Sequence, residues 1–199
     1  MAVTSAPLDV TRTVIIGAPT AEMRRRYTQV LKGHLALGAA RFPEDTNGGQ
    51  LDVLARQHLW SDGVDYDHGT GHGVGCFLSV HEGPHGIAKR PNAVGLRPGM
   101  VVSNEPGYYK AGAFGIRIEN LVVVQALDPQ PEGAERTTLG FEPLTLAPYD
   151  RRLIDPALLT NAERATVNDY HARVREAVSP HLDATVAAFL ATATAPREE

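Results

Sequence analysis

Four side chains able to bind a metal, Asp9, His72, Glu105 and Glu119, are scattered over more than half of this chain, and any fold must satisfy them. His72 lies in Asp67-His68-Gly69-Thr70-Gly71-His72-Gly73-Val74-Gly75. Glu105 lies in Ser103-Asn104-Glu105-Pro106-Gly107-Tyr108-Tyr109, and Glu119 in Phe114-Gly115-Ile116-Arg117-Ile118-Glu119-Asn120. Each sits on a stretch with strand character, or at a strand end, flanked by glycine or turn residues. A carboxylate within an apolar strand is costly to bury unless it is paired or bound to a cation. A sheet meets that demand, because it gathers side chains from distant positions and holds them rigidly. Oxygen-rich ligands with a single imidazole suit Mn, Co, Zn or Fe(II). Such a set implies metal-activated water, and so hydrolysis.

The expected elements are consistent with a sheet covered by helices. Residues 8–16 are rich in β-branched side chains and read as a strand, with Asp9, Thr11 and Thr13 on one face. Thr20 is the expected N-cap of a helix over 21–40, with Glu22 in its first turn. A second helix is expected over 50–59. Strands are expected over 74–81, 100–104, 114–125 and 137–146, with a loop over 82–91 and a turn over 96–99. Thr160 should cap a helix running to about 178. Ser179-Pro180 breaks it, an Ala-rich helix follows to about 193, and the tail from 194 should fray. The fold class is therefore α+β, with a mostly antiparallel curved sheet and helices packed on it. The expected division is 1–150 for the sheet-bearing domain and 151–199 for a helical C-terminal region.

Composition excludes several classes of function. The net charge is −4, and Arg24-Arg25-Arg26 falls inside a helical pattern, so it reads as a solvated face. Neither nucleic acid nor an anionic membrane is an expected partner. Cys76 is the only cysteine; it cannot form a disulfide within the chain and reads as a buried, inert thiol, which fits a reducing cytoplasm. No apolar run approaches a membrane span, and the first residues do not read as a signal peptide. His34, His58, His171 and His181 read as core-edge or solvent histidines on helices. Tyr108 and Tyr109 read as packing residues, and His85 as a loop residue that could approach a ligand.

Taken in order, Asp9-Val10-Thr11-Arg12-Thr13, His68 to Gly75, Val80-His81-Glu82-Gly83-Pro84, Asn104 to Tyr109 and Gly115 to Asn120 resemble the Xaa-Pro aminopeptidases (aminopeptidase P) of the pita-bread metallopeptidase family M24. Phe141-Glu142-Pro143-Leu144-Thr145-Leu146 and the helices after Thr160 resemble the C-terminal region of that family. The resemblance implies a partial pita-bread fold and release of an N-terminal residue from peptides with proline second. It implies that Asp9 and Glu119 bridge two metal ions, that His72 and Glu105 bind one of them, and that Glu105 is the general base. His81 and His68 would donate hydrogen bonds to the substrate carbonyl. Arg117 would fix the carboxylates from behind, and Thr11 would orient Asp9. Manganese is the implied ion, a proline-containing peptide the substrate, and a homodimer the implied assembly.

The family pattern calls for a fifth ligand, an aspartate about eleven residues before the one matched by Asp9. Residues 1–8 do not supply it. The chain therefore reads as the second half of a catalytic domain, with a weakened second metal site, little or no activity alone, and a surface for association with a missing N-terminal part. The alternative reading is a non-catalytic pita-bread module that binds peptides or protein partners.

Overall fold

The computed structural model describes residues 9–75, 79–90 and 93–196. Cys76 and residues 1–8 lie outside that set, so the readings of the thiol and of the chain start have no structural counterpart here. Four helices are present among the described residues: α1 (Ala21–Gly38), α2 (Gly48–Trp60), α3 (Asn161–Val178) and α4 (Ala184–Ala193). Their starts follow local chemistry. The Thr20 side chain accepts from Met23 N, and Asn47 with Gln50 and Thr160 with Glu163 form reciprocal capping boxes. None of these helices is long and apolar enough to cross a membrane.

The principal sheet is antiparallel and contains β1 (Phe42–Pro43), β4 (Val101–Asn104), β7 (Asn120–Ala126) and β8 (Thr138–Pro143), in the order β1-β8-β7-β4. A hairpin of β5 (Gly107–Lys110) and β6 (Phe114–Arg117) and a short pair of β2 (Gly71–His72) and β3 (Gly86–Ile87) complete the strands. One buried cluster joins Tyr27, Val30, Leu31 and Leu35 of α1 to Ile116, Ile118, Tyr149, Ile154 and the α3 residues Val167, Tyr170 and Val174. A second joins Leu51 and Ala55 of α2 to Val102, Val122, Val124 and Leu139 of the sheet. α1 and α2 cross closely at Gly33, where a β-carbon would lie 2.0 Å from the Ala55 carbonyl oxygen.

The expected long strand over 114–125 is two strands. β7 pairs with β4 up to Asn104↔Asn120, and β6 pairs with β5 from Gly107↔Arg117. Between these registers stand Glu105-Pro106 on one side and Ile118-Glu119 on the other. Proline has no N–H to donate, so the ladder is interrupted where the two glutamates sit. Among residues 9–16 the expected strand is reduced to a single bridge, Arg12↔Ile118. Side chains replace the missing ladder, since Arg117 N donates to Thr13 Oγ1 (2.9 Å) and the Thr13 hydroxyl donates to Arg117 O (3.2 Å). Among the described residues of 74–81 there is no strand. Instead, Gly75 N is bonded to Ser79 O and Glu82 N to Gly73 O, both at 2.9 Å. The tail over 194–196 does not fray, because Thr194 is buried and its carbonyl accepts from Arg175 Nη1. His34 and His171 are fully internal rather than at a core edge.

Candidate metal centre

The break between the two hairpin segments aims Glu105 and Glu119 at the same side as the glycine-rich segment. Glycine is needed there for close approach. A β-carbon on Gly71 would lie 1.9 Å from Ser103 O, and one on Gly73 would lie 2.1 Å from Glu82 O. That tight packing brings His72 against β4. His72 N donates to Ser103 Oγ (2.9 Å), and Ser103 Oγ donates to Glu105 Oε1 (3.0 Å).

Asp9, His72 and Glu119 each offer one ligand atom, and these atoms lie within 4.8 Å of one another. His72 Nε2 is 3.1 Å from Asp9 Oδ2 and 3.4 Å from Glu105 Oε1. The other ring nitrogen, Nδ1, is 2.9 Å from Gly73 O. A carbonyl can only accept, so Nδ1 carries a hydrogen and Nε2 is the ring nitrogen turned toward the two carboxylates, free to act as a ligand. Neither His72 Nε2 nor Asp9 Oδ2 has a hydrogen-bond partner, although both are buried. In the unprotonated ring that a metal requires, this nitrogen's lone pair faces carboxylate lone pairs in a desolvated site, and a cation between them turns that repulsion into attraction. The residues present therefore fit a divalent metal.

Glu119 reports the same strain. Burial lifts its pKa to about 7, and the negative charges of Glu105 and Asp9 add to that, while the Thr11 hydroxyl opposes it. The Thr11 hydroxyl donates to Glu119 Oε2 at 2.5 Å, so it orients Glu119 rather than Asp9. Arg117 Nη1 lies 3.4 Å from Glu105 Oε2. Burial works against the Arg117 cation, yet Tyr109, Glu105 and Glu119 hold its pKa above the ordinary value.

His68, Gly69, Gly71, His72, His81, Glu105 and Arg117 line one open cleft of about 310 Å³. The exposed His81 ring packs against the His72 ring, with centroids 4.0 Å apart. Burial lowers the pKa of His68, so its imidazole is held neutral, with Nδ1 bonded to Gly69 O. His85 is turned away, its Nε2 bonded to Val101 O. Tyr109 is not a packing residue. Its hydroxyl lies 3.0 Å from His68 Nε2 and accepts from Arg117 Nε at 2.9 Å. One sequence signal could have found it: period two sends Tyr109 to the face opposite Tyr108. The structure adds that its cross-strand partner is Gly115, whose missing β-carbon leaves room for the ring.

The model of metallopeptidase family M24 matches residues 3–126, and that of the C-terminal region of peptidase M24 matches residues 137–197. The chain belongs to metallopeptidase family M24. Aminopeptidase P1 of Lotus japonicus is 52% identical over 175 residues, which is 88% of this chain and 27% of the plant protein. X-prolyl aminopeptidase of Caenorhabditis elegans, described as a cytosolic enzyme with a di-nuclear active site, superposes with a TM-score of 0.89 at 42% identity. That likeness covers 94% of this chain and 31% of the worm chain. Prolidase of Pyrococcus furiosus superposes less fully, with a TM-score of 0.56 at 29% identity, over 68% of this chain and 36% of that one. The M24 chain described here thus spans about a quarter to a third of the aminopeptidases it matches, and its fold is the corresponding part of a pita-bread domain.

Proposed function

We propose that this chain carries the metal-binding half of an Xaa-Pro aminopeptidase catalytic domain, acting on peptides with proline in second position. The observation that carries the reading is the unpartnered His72 Nε2 set against the Asp9 and Glu105 carboxylates. Asp9, His72, Glu105 and Glu119 would hold the ion, and their hard oxygen donors favour manganese. A divalent ion bound there would acidify water and polarise the scissile carbonyl.

The remaining work falls to the side chains. Glu105 accepts a proton from the attacking water at Oε2, the oxygen that faces Arg117, while Ser103 fixes Oε1. His81, exposed over the His72 ring, and His68, positioned by Tyr109, line the cleft where a peptide carbonyl would lie; His81 would donate to that carbonyl, whereas the single N–H of neutral His68 is directed at Gly69 O. Turnover by these 199 residues alone is expected to be weak, because the fifth carboxylate of the family pattern is not among them.

Titration of the chelator-treated chain with Mn2+ tests the reading, together with assay of a tripeptide with proline second against one with alanine second. We expect saturable uptake that His72→Ala abolishes, and cleavage confined to the proline peptide. Absence of stoichiometric uptake at pH 8 would refute the metal centre. Equal cleavage of both peptides would refute the substrate class.

A further inference from the structure

We propose that the C-terminal region braces the metal-binding face, and that Arg12 and Tyr170 are the positioning residues of that brace. The inference rests on the metal-centre reading above but assigns residues to which it gives no role.

Arg12 lies three residues after Asp9, and its backbone pairs with Ile118, the neighbour of Glu119. Its half-buried guanidinium is shared between two regions. Toward the site, Nη1 donates to Thr11 O (2.9 Å) and Glu119 O (2.5 Å), and Nη2 donates to Asn120 Oδ1 (2.5 Å). Toward the C-terminal region, Nη2 also donates to Ala147 O (2.8 Å) and the Tyr170 hydroxyl (3.0 Å), while Nε reaches Ala147 O and Pro148 O, both at 3.2 Å. The guanidinium lies 5.0 Å from the Tyr149 ring centroid, and Tyr149 stacks on Tyr170 at 4.7 Å.

Tyr170 stands on α3 with its hydroxyl buried at this junction. Besides accepting from Arg12, the hydroxyl accepts from Ala147 N (3.3 Å), and its single proton points into a group of acceptors that includes Thr145 O and Ala147 O. One planar fork thus ties the main chain on both sides of the Asp9–Glu119 pair to residues 145–148 and α3. A lysine has neither the planarity nor the donor count to do this. The brace matters because Asp9 and Glu119 repel each other. Fixation of the Thr11 and Glu119 carbonyls and of the Asn120 side chain prevents the two segments from relaxing apart. The residues that provide it fall in the separately recognised C-terminal region, 137–197.

The test compares Tyr170→Phe and Arg12→Lys with Val174→Ala, a cavity control in the same buried cluster. Mn2+ affinity, thermal midpoint and amide exchange of the metal-free chain are measured for each. The Glu119 N–H, bonded to Thr11 O at 3.0 Å, is the local reporter. Both brace variants should bind Mn2+ about tenfold more weakly, the usual cost of removing a group that orients a ligand. Both should exchange the Glu119 amide faster. Val174→Ala should lower the thermal midpoint and change neither. Unchanged Glu119 exchange in both brace variants overturns the proposal, as does an equal loss of affinity in Val174→Ala. If the unmodified chain takes up no Mn2+, the metal-centre reading fails, and the Glu119 exchange rate still decides for or against the brace.

Discussion

On α2, Arg56 is fully buried, with its Nε 2.6 Å from Asp52 Oδ2 and Nη1 2.8 Å from Asp65 Oδ1. It also donates to Tyr66 O and His68 O and lies 3.8 Å from the Tyr66 ring centroid. Asp52 accepts from the Thr70 hydroxyl, and Thr70 O accepts from Glu105 N. A few residues away in space, Asp9, His72, Glu105 and Glu119 form a cluster of comparable burial in which two polar atoms have no partner. The first cluster contains its own cation, covalently supplied by an arginine. The second has three acids, one imidazole lone pair, and Arg117 only at its margin. Structural charge networks close on themselves, and sites that bind a cation from solution are left open on one side. The closed network also positions the open one, because the Arg56 fork fixes the backbone that carries His68 and Thr70.

The largest effect should come from opening the closed cluster. Arg56→Met strands Asp52 without its cation, and such a break costs about 3–5 kcal/mol. Denaturant unfolding of the metal-free chain measures it, and a loss below about 1 kcal/mol would erase the contrast between the two clusters.

The next effect concerns the neutral buried imidazoles behind the sheet. Burial lowers the pKa of His34 to about 3 and that of His171 to about 4, with nearby arginines adding to it. His171 Nε2 accepts from Tyr149 N and must be unprotonated to do so. The unfolded chain binds these protons near pH 6.5 while the native chain refuses them, so stability is complete above that pH. It should fall as pH drops from about 6.5 toward 4, by up to about 1.4 kcal/mol per pH unit for each imidazole. Replacing His171 by Gln should flatten that slope, and an unaltered slope would rule out its part in it.

The smallest effect sharpens the open cluster. Glu119→Gln removes one of three crowded negative charges and keeps an acceptor for Thr11. In the metal-free chain at pH 8 it should leave stability unchanged or raise it by less than about 1 kcal/mol, while abolishing Mn2+ uptake. Marked destabilisation of the metal-free chain would mean that the site is already satisfied without a cation.

Helix positions were legible because caps are local. Thr20 and Thr160 mark their helices through side chains that reach only three residues. The strand over 114–125 was legible as β-structure but not as two strands, since its division depends on Pro106 across the ladder. Thr11 was picked out, but not its partner, because the choice between Asp9 and Glu119 depends on how the extended segment lies on Ile118. Tyr109 was passed over as packing, because its contact with His68, 41 residues away, is made only by the fold. The arginine run read as a solvated face is partly otherwise. Arg25 is exposed, but Arg26 is largely covered and reaches Asp62 beneath the Tyr108 ring.

The sequence by itself determined which groups could bind a metal, because the types and order of Asp9, His72, Glu105 and Glu119 are chemical facts independent of folding. Only the tertiary structure decided that His72 turns Nε2, not Nδ1, toward the acids, that Arg12 ties them to α3, and that Arg56 satisfies its own charges. Those outcomes depend on distances of a few ångströms between residues far apart in the chain, and hydrogen bonding and Coulomb energy are set by those distances.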